Sequence, residues 1–359
     1  MQLILWLCLA IIGIAILLEI CARIYHRLHF RLPFHSKVIG EYPYRSFIEK
    51  VPPPLYYRFK KGFKSPKVNI NRFYCRGPEP APDGEKNRIM VIGESNFFGA
   101  KLKKEKHLWS IKLEKILKNY GYGNWEVLNA GNPTYNTFQH HYLFENSLKD
   151  AKPRILLIEI GGNDVSQAWM FGSKWKPGEP WPWEFIMALE RKSPWWNKIL
   201  ANFCLYFFIR RSMTERKPFP HLDDQFQWDR CIEAIGESYK KIVEIGHNIG
   251  AHIVIINYAV AYDLNLSSLD KRRLSTIQAN WESFIKGKAI YDYKFFDFLR
   301  DKLSKELQIP YIDLNEIFHN HPKRFELFID LVHFNERGMD LVAKTIYNEI
   351  NKLGWWDIK

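Results

Sequence analysis

Apolar strand-like runs alternate with helical stripes along most of this chain, and that alternation limits its fold more than any other feature. Arg88 to Gly93 (RIMVIG) reads as a buried strand ending in a glycine turn, and Trp109, Leu113, Ile116 and Tyr120 then recur at helical spacing. Trp125 to Leu128 leads into a turn at Asn129-Ala130-Gly131, and Ile155 to Ile160 is a second strong strand ending at Gly161-Gly162. Ile232, Ile235, Tyr239 and Ile242 form another helical stripe. His252 to Val260 and Tyr311 to Leu314 read as the last strands, and Met339, Val342, Ile346, Ile350 and Leu353 as the closing helix. Near-continuous apolar strands separated by helices imply a parallel sheet covered on both faces. In such sheets the ligand sits beyond the carboxyl ends of the strands.

With 359 residues, one large α/β domain plus extras fits better than two equal domains. The chain is 47% hydrophobic and 25% charged, which excludes a disordered protein. Its net charge of +13 is spread along the chain, with no zinc-finger, helix-turn-helix or RNA-binding signature. An anionic membrane surface or an acidic polymer therefore explains the charge better than a nucleic-acid partner. The five cysteines (Cys8, Cys21, Cys75, Cys204 and Cys231) form no CxxC pair, so neither a structural metal site nor a disulfide framework is expected.

The N-terminus reads as a membrane segment. Leu3 to Leu18 is an unbroken apolar or small-residue run, and Ile20-Cys21-Ala22 extends it past Glu19. That length just suffices to span. No Lys or Arg precedes the run and no clear small-x-small site follows it, which argues for a retained anchor over a cleaved signal. The reading is a transmembrane anchor over 1–22, a juxtamembrane linker and lead-in over 23–86, and the main α/β domain over 87–359. The lead-in holds Pro52-Pro53-Pro54, a stiff spacer. Residues 165–228 interrupt the alternation as an insertion with Trp169, Trp175, Trp181, Trp183, Trp195 and Trp196. Within it, Ile199 to Ile209 is strongly apolar and ends in Arg210-Arg211. A helical cap, a lid on the bilayer and an aromatic platform for sugars or acyl chains are all open readings.

Four short motifs fall beyond the strands or before the last helix: Gly93-Glu94-Ser95, Asn129-Ala130-Gly131-Asn132, Gly161-Gly162-Asn163-Asp164 and Asp330-Leu331-Val332-His333. Each has a bland reading. Ser95 could cap a helix, Gly131 could supply a turn, Asn163 could cap its own turn, and His333 could be structural. Together they supply a hydroxyl nucleophile, amide donors for an oxyanion, and an imidazole whose tautomer a carboxylate three residues earlier fixes.

This combination resembles the SGNH/GDSL hydrolase family, whose four blocks supply a Ser, a Gly, an Asn and an Asp-x-x-His in this order. The resemblance covers about residues 87–355. Glu94 stands where the family usually has Asp, and Phe98-Gly99 points toward a subgroup with Phe-Gly after the serine. The segment from Asn71 to Glu79 is similar to the lead-in of membrane-anchored bacterial members. The resemblance implies a flavodoxin-like three-layer α/β/α fold with a central parallel five-stranded sheet. It also implies ester hydrolysis without metal or organic cofactor. Ser95 would be the nucleophile, His333 the base and Asp330 its orienter. The N–H groups of Ser95 and Gly131 and the side chain of Asn163 would form the oxyanion hole.

The leading expectation is a membrane-anchored serine esterase acting on an acylated glycan or lipid. An O-acyltransferase for an envelope polysaccharide uses the same residues, and a non-catalytic assembly protein could keep the fold. Arg23, Arg27, Arg31 and Lys37 follow the apolar run and favour a cytoplasmic domain by the positive-inside rule. Acylated envelope polymers lie mostly outside the cytoplasm, and the reading places the catalytic domain there. Oligomeric state is not legible.

Overall fold

The computed structural model describes residues 2–30, 47–102, 104–181, 203, 205, 228–277, 282 and 287–358. Helix α1 spans Gln2–Phe30. A two-stranded antiparallel ribbon follows, β1 (Ile48–Lys50) and β2 (Tyr57–Phe59). Then come β3 (Asn87–Gly93), α2 (Ser95–Phe98), α3 (Trp109–Asn119), β4 (Trp125–Gly131), α4 (Thr137–Asn146), β5 (Ile155–Glu159) and α5 (Gly162–Phe171). The rest is α6 (Trp228–Asn248), β6 (His252–Ile256), α7 (Ser268–Ile277), α8 (Lys288–Asp297), α9 (Ser304–Leu307), β7 (Tyr311–Ile312), α10 (Leu314–His319) and α11 (Glu336–Lys352).

Five strands form one parallel sheet in the order β4-β3-β5-β6-β7. Counted along the sheet's own strands, that is the doubly wound 2-1-3-4-5 order, with its switch point between the first and third strands, β3 and β5. Ile89, Met90, Val91 and Ile92 of β3 and Ile155 to Ile158 of β5 have no exposed surface. Burying each such side chain favours the fold by roughly 1.5–3 kcal/mol before entropy is counted. Helices α3 and α11 pack as one layer; α4, α5, α6 and α8 form the other. The α11 stripe reads out as expected, with Met339, Val342, Ile346 and Ile350 fully buried, while Leu353 lies beyond the helix and is exposed.

Several boundaries differ from the sequence reading. β4 runs through the Asn129-Ala130-Gly131 motif instead of turning there, because Gly131 pairs in register with Gly93. β6 stops at Ile256 and β7 has only two residues, since Asp313 already caps α10 by accepting from the Glu316 N–H. α5 continues to Phe171, across the start expected for the insertion. Trp169, Trp175 and Trp181 are buried. The remaining tryptophans of that stretch, and Ile199–Ile209 with Arg210-Arg211 apart from the isolated positions 203 and 205, lie outside the described residues. Residues 47–86 join the main core: Phe47 and Phe59 pack on Phe98, and buried Arg76 donates to the carbonyls of Phe98 and Gly99 at 2.8 Å each.

Over Leu5–Tyr25 (21 residues, mean hydropathy 2.6), α1 is long and apolar enough to cross a membrane, a test that a signal sequence also passes. Only 6% of its most apolar window is buried against the protein.

Candidate active site

The site is built where β3 and β5 end. Backbone geometry forces a sharp exit from β3: Glu94 is extended, and Ser95 is already the first residue of α2. Ser95 is thus not a cap. Its Oγ lies 2.9 Å from His333 Nε2. On the far side of the ring, Nδ1 lies 2.9 and 2.8 Å from the two carboxylate oxygens of Asp330. With the proton on Nδ1, the imidazole donates to Asp330 and accepts the Ser95 hydroxyl, which is the arrangement that raises a serine's nucleophilicity.

The Asp330–His333 pair is preformed by its own loop. Asp330 Oδ1 accepts the backbone N–H groups of Val332 (3.0 Å) and His333 (2.8 Å). The Ile329 N–H donates to the His333 carbonyl, and Phe328 bridges Phe334, which pinches the loop shut. Phe318 packs against both phenylalanines and holds the pinch in the core. Asn335 then starts α11 by accepting the N–H groups of Arg337 and Gly338. Lys101 donates to Asp330 Oδ2. Burial alone would raise the Asp330 carboxyl, but the facing imidazole of His333 and the Lys101 ammonium outweigh it and hold the group well below the usual carboxylate range.

The three expected oxyanion donors are placed differently. The Ser95 N–H makes no hydrogen bond among the described residues. Asn163 Nδ2 donates to the Tyr135 carbonyl at 2.9 Å and has a second N–H to offer. Gly131 departs from expectation: its N–H donates to Asn129 Oδ1 at 3.1 Å. The strand continues through the motif, so this glycine serves packing. A Cβ there would stand 2.4 Å from the Phe98 nitrogen, closing the contact between β4 and the serine-bearing helix. Three residues on, Thr134 adopts φ 66°, a left-handed conformation uncommon for a non-glycine, and its N–H has no hydrogen-bond partner among the described residues.

The sequence reading gave no role to three buried carboxyls, of Glu94, Glu159 and Asp164. Glu94 is buried, and its Oε1 accepts the N–H groups of Gly161 and Asn163 at 2.9 Å each. Glu159 is fully buried at the end of β5; its Oε2 accepts the Glu94 N–H at 2.9 Å and its Oε1 accepts Asn96 Nδ2 at 3.0 Å. Burial, then the nearby Glu159 charge, raises Glu94 well above an ordinary carboxyl; burial pushes Glu159 up to about 8. Asp164, of the same Gly-x-Asn-Asp motif, accepts the Thr137 N–H and hydroxyl, and burial pushes it up to about 7. The available signal was Glu159 itself, a carboxyl closing an otherwise apolar strand.

Fold and site together define a class: a doubly wound α/β protein with a Ser–His–Asp relay at the carboxyl edge of its sheet. No family model matches the chain and no curated protein does. Among solved structures, the chain is similar to a lipase/acylhydrolase from Enterococcus faecalis, with 16% identity over 74% of this chain and 96% of that one, at a TM-score of 0.43. It is also similar to a GDSL-like lipase from Bacteroides thetaiotaomicron (13% identity, 76% and 91% coverage, TM-score 0.42). A third is a mutant of an acetyl-xylooligosaccharide esterase from Geobacillus (13%, 74% and 95%, TM-score 0.43). At these identities they are likenesses only; the fold and site stand on the strand order and hydrogen bonds above.

Proposed function

We propose that the chain is a membrane-anchored serine esterase of SGNH/GDSL type that hydrolyses ester-linked acyl groups on a glycan or lipid. The observation that carries this reading is the unbroken relay from Asp330 through His333 to the Ser95 hydroxyl. Ser95 Oγ attacks the acyl carbonyl while His333 Nε2 takes its proton. The tetrahedral intermediate collapses, His333 returns the proton to the leaving alcohol, and the acyl group stays on Ser95. Water, deprotonated by the same imidazole, then releases the acid and restores the serine. The developing oxyanion is met by the Ser95 N–H and the second N–H of Asn163 Nδ2. In place of Gly131 we assign the Thr134 N–H, because the next carbonyl, of Tyr135, is already bound to Asn163. The carboxylate of Asp330 keeps the imidazolium paired throughout.

Residues 1–22 hold the domain at a bilayer, and we assign the domain to the extracytoplasmic side, where acylated envelope polymers lie. The full chain in detergent should hydrolyse p-nitrophenyl acetate or a longer ester, or release acetate from an acetylated glycan. A fluorophosphonate should label it at Ser95 alone. No labelling and no turnover on any of these substrates would overturn the reading.

A further inference from the structure

The two buried glutamates exchange partners across the switch point. Glu94 leaves β3 and reaches over to the β5 turn; Glu159 ends β5 and reaches back to the β3 turn. Glu94 Oε1 takes the N–H groups of Gly161 and Asn163. It thereby caps α5 from a distance, since Gly161, the N-cap residue, has no side chain to do so. Glu159 Oε2 takes the Glu94 N–H, and its Oε1 takes the side chain of Asn96, one residue beyond Ser95. The two turns approach so closely that a Cβ on Gly162 would lie 3.0 Å from Glu94 Oε2 and 2.6 Å from the Tyr258 ring.

We propose that Glu94 and Glu159 are positioning residues, a reciprocal carboxylate clamp that fixes the Ser95 turn and the Asn163 turn relative to one another. The clamp rests on the esterase reading only for its kinetic consequence. Neither glutamate hydrogen-bonds to Ser95 Oγ, His333 or Asp330. Both act through the backbone that presents the nucleophile and the oxyanion donor. Displacing such groups by about 1 Å lowers the rate by roughly 10²-fold while leaving substrate binding largely intact. Catalysis depends on the mutual placement of these two turns, one giving Ser95 Oγ and N–H, the other giving Asn163 Nδ2.

The geometry makes an asymmetric demand. Both N–H groups at Glu94 go to one oxygen, Oε1, so a glutamine can place its single carbonyl oxygen there and keep both bonds. The two donors at Glu159 use both oxygens, so a glutamine must turn its NH₂ toward one of them. A residue that merely filled space would show no such difference.

The test uses the purified full chain in detergent, with p-nitrophenyl acetate as substrate. Glu94→Gln should keep kcat within about threefold of wild type, whereas Glu94→Ala and Glu159→Gln should each lose roughly 10- to 100-fold in kcat with KM within about twofold. Glu94→Asp, one methylene short of the β5 turn, should fall with Glu94→Ala and serves if the alanine variant does not fold. Equal loss in Glu94→Gln and Glu94→Ala, full activity in Glu159→Gln, or an effect confined to KM would each overturn the clamp. Amide hydrogen exchange supplies an arm independent of turnover. The Gly161 and Asn163 amides should be protected in wild type and Glu94→Gln and released in Glu94→Asp. If they stay protected in Glu94→Asp, the clamp is wrong whatever the enzyme does. If the wild type turns over no ester yet these amides are released as described, the esterase reading fails and the clamp stands.

Discussion

At the residue scale the chemistry rests on a few atoms. Replacing Ser95 with Ala should lower kcat on the order of 10⁴-fold while the thermal midpoint stays near wild type, because among the described residues the hydroxyl bonds to His333 alone and caps nothing. Retention of more than about a tenth of the activity would remove Ser95 from the nucleophile role. Asn163→Ala should lower kcat by about 10²–10³-fold with little change in KM, since an oxyanion donor works mainly in the transition state. A pure KM effect would instead make Asn163 a substrate-binding residue. Ser95, His333 and Asp330, which the structure brings together, and Asn163 could be singled out as candidates from the sequence because each sits in a short motif whose spacing reflects its own turn. Lys101, by contrast, reaches Asp330 from 229 positions away, and no local pattern announces such a contact.

At the scale of elements, strand and helix identity was legible because β3 and β5 are buried on both faces and therefore read as continuous apolar runs. Strand ends were less so. Whether β4 turns at Asn129 or continues to Gly131 depends on pairing with β3, a neighbour distant in the chain. The role of Gly131 was misread for the same reason: its lack of a side chain matters to Phe98, not to a turn. Gly131→Ala should therefore destabilise the domain by about 1–3 kcal/mol and depress activity, as an overpacked contact does. Unchanged denaturant unfolding would show that β4 and α2 have room to part. The buried carboxyls between β3, β5 and α5 set a pH dependence. Glu159 is pushed up to about 8 and Asp164 to about 7, against roughly 4 for unfolded carboxyls. Between those values the folded chain holds protons that the unfolded chain has released, so stability must fall as pH rises through the window. The thermal midpoint should thus be lower at about pH 8 than at about pH 5.5, and Glu159→Gln should flatten the slope. An identical slope in that variant would exclude Glu159 as a contributor.

At the scale of the whole molecule, the apolar N-terminal helix differs in chemistry from the folded domain that follows it. Only 6% of the most apolar window of α1 is buried. If residues 1–22 are retained, carbonate washing should leave the chain in the membrane pellet, and deletion of those residues should move it to the supernatant. A full-length chain that washes off would make the segment a signal or a docking helix. The tertiary structure also spaces the reactive parts widely along the chain. Ser95 and His333 stand 238 positions apart, while Asp330 and His333 come as a finished pair from one loop. A ribosome therefore releases the nucleophile long before the base. Until the Asp330–His333 loop has been made and has packed against the end of β3, Ser95 carries an ordinary alcohol. Reactivity thus depends on a tertiary contact, so a chain that stops before position 330 has no base with which to activate that serine.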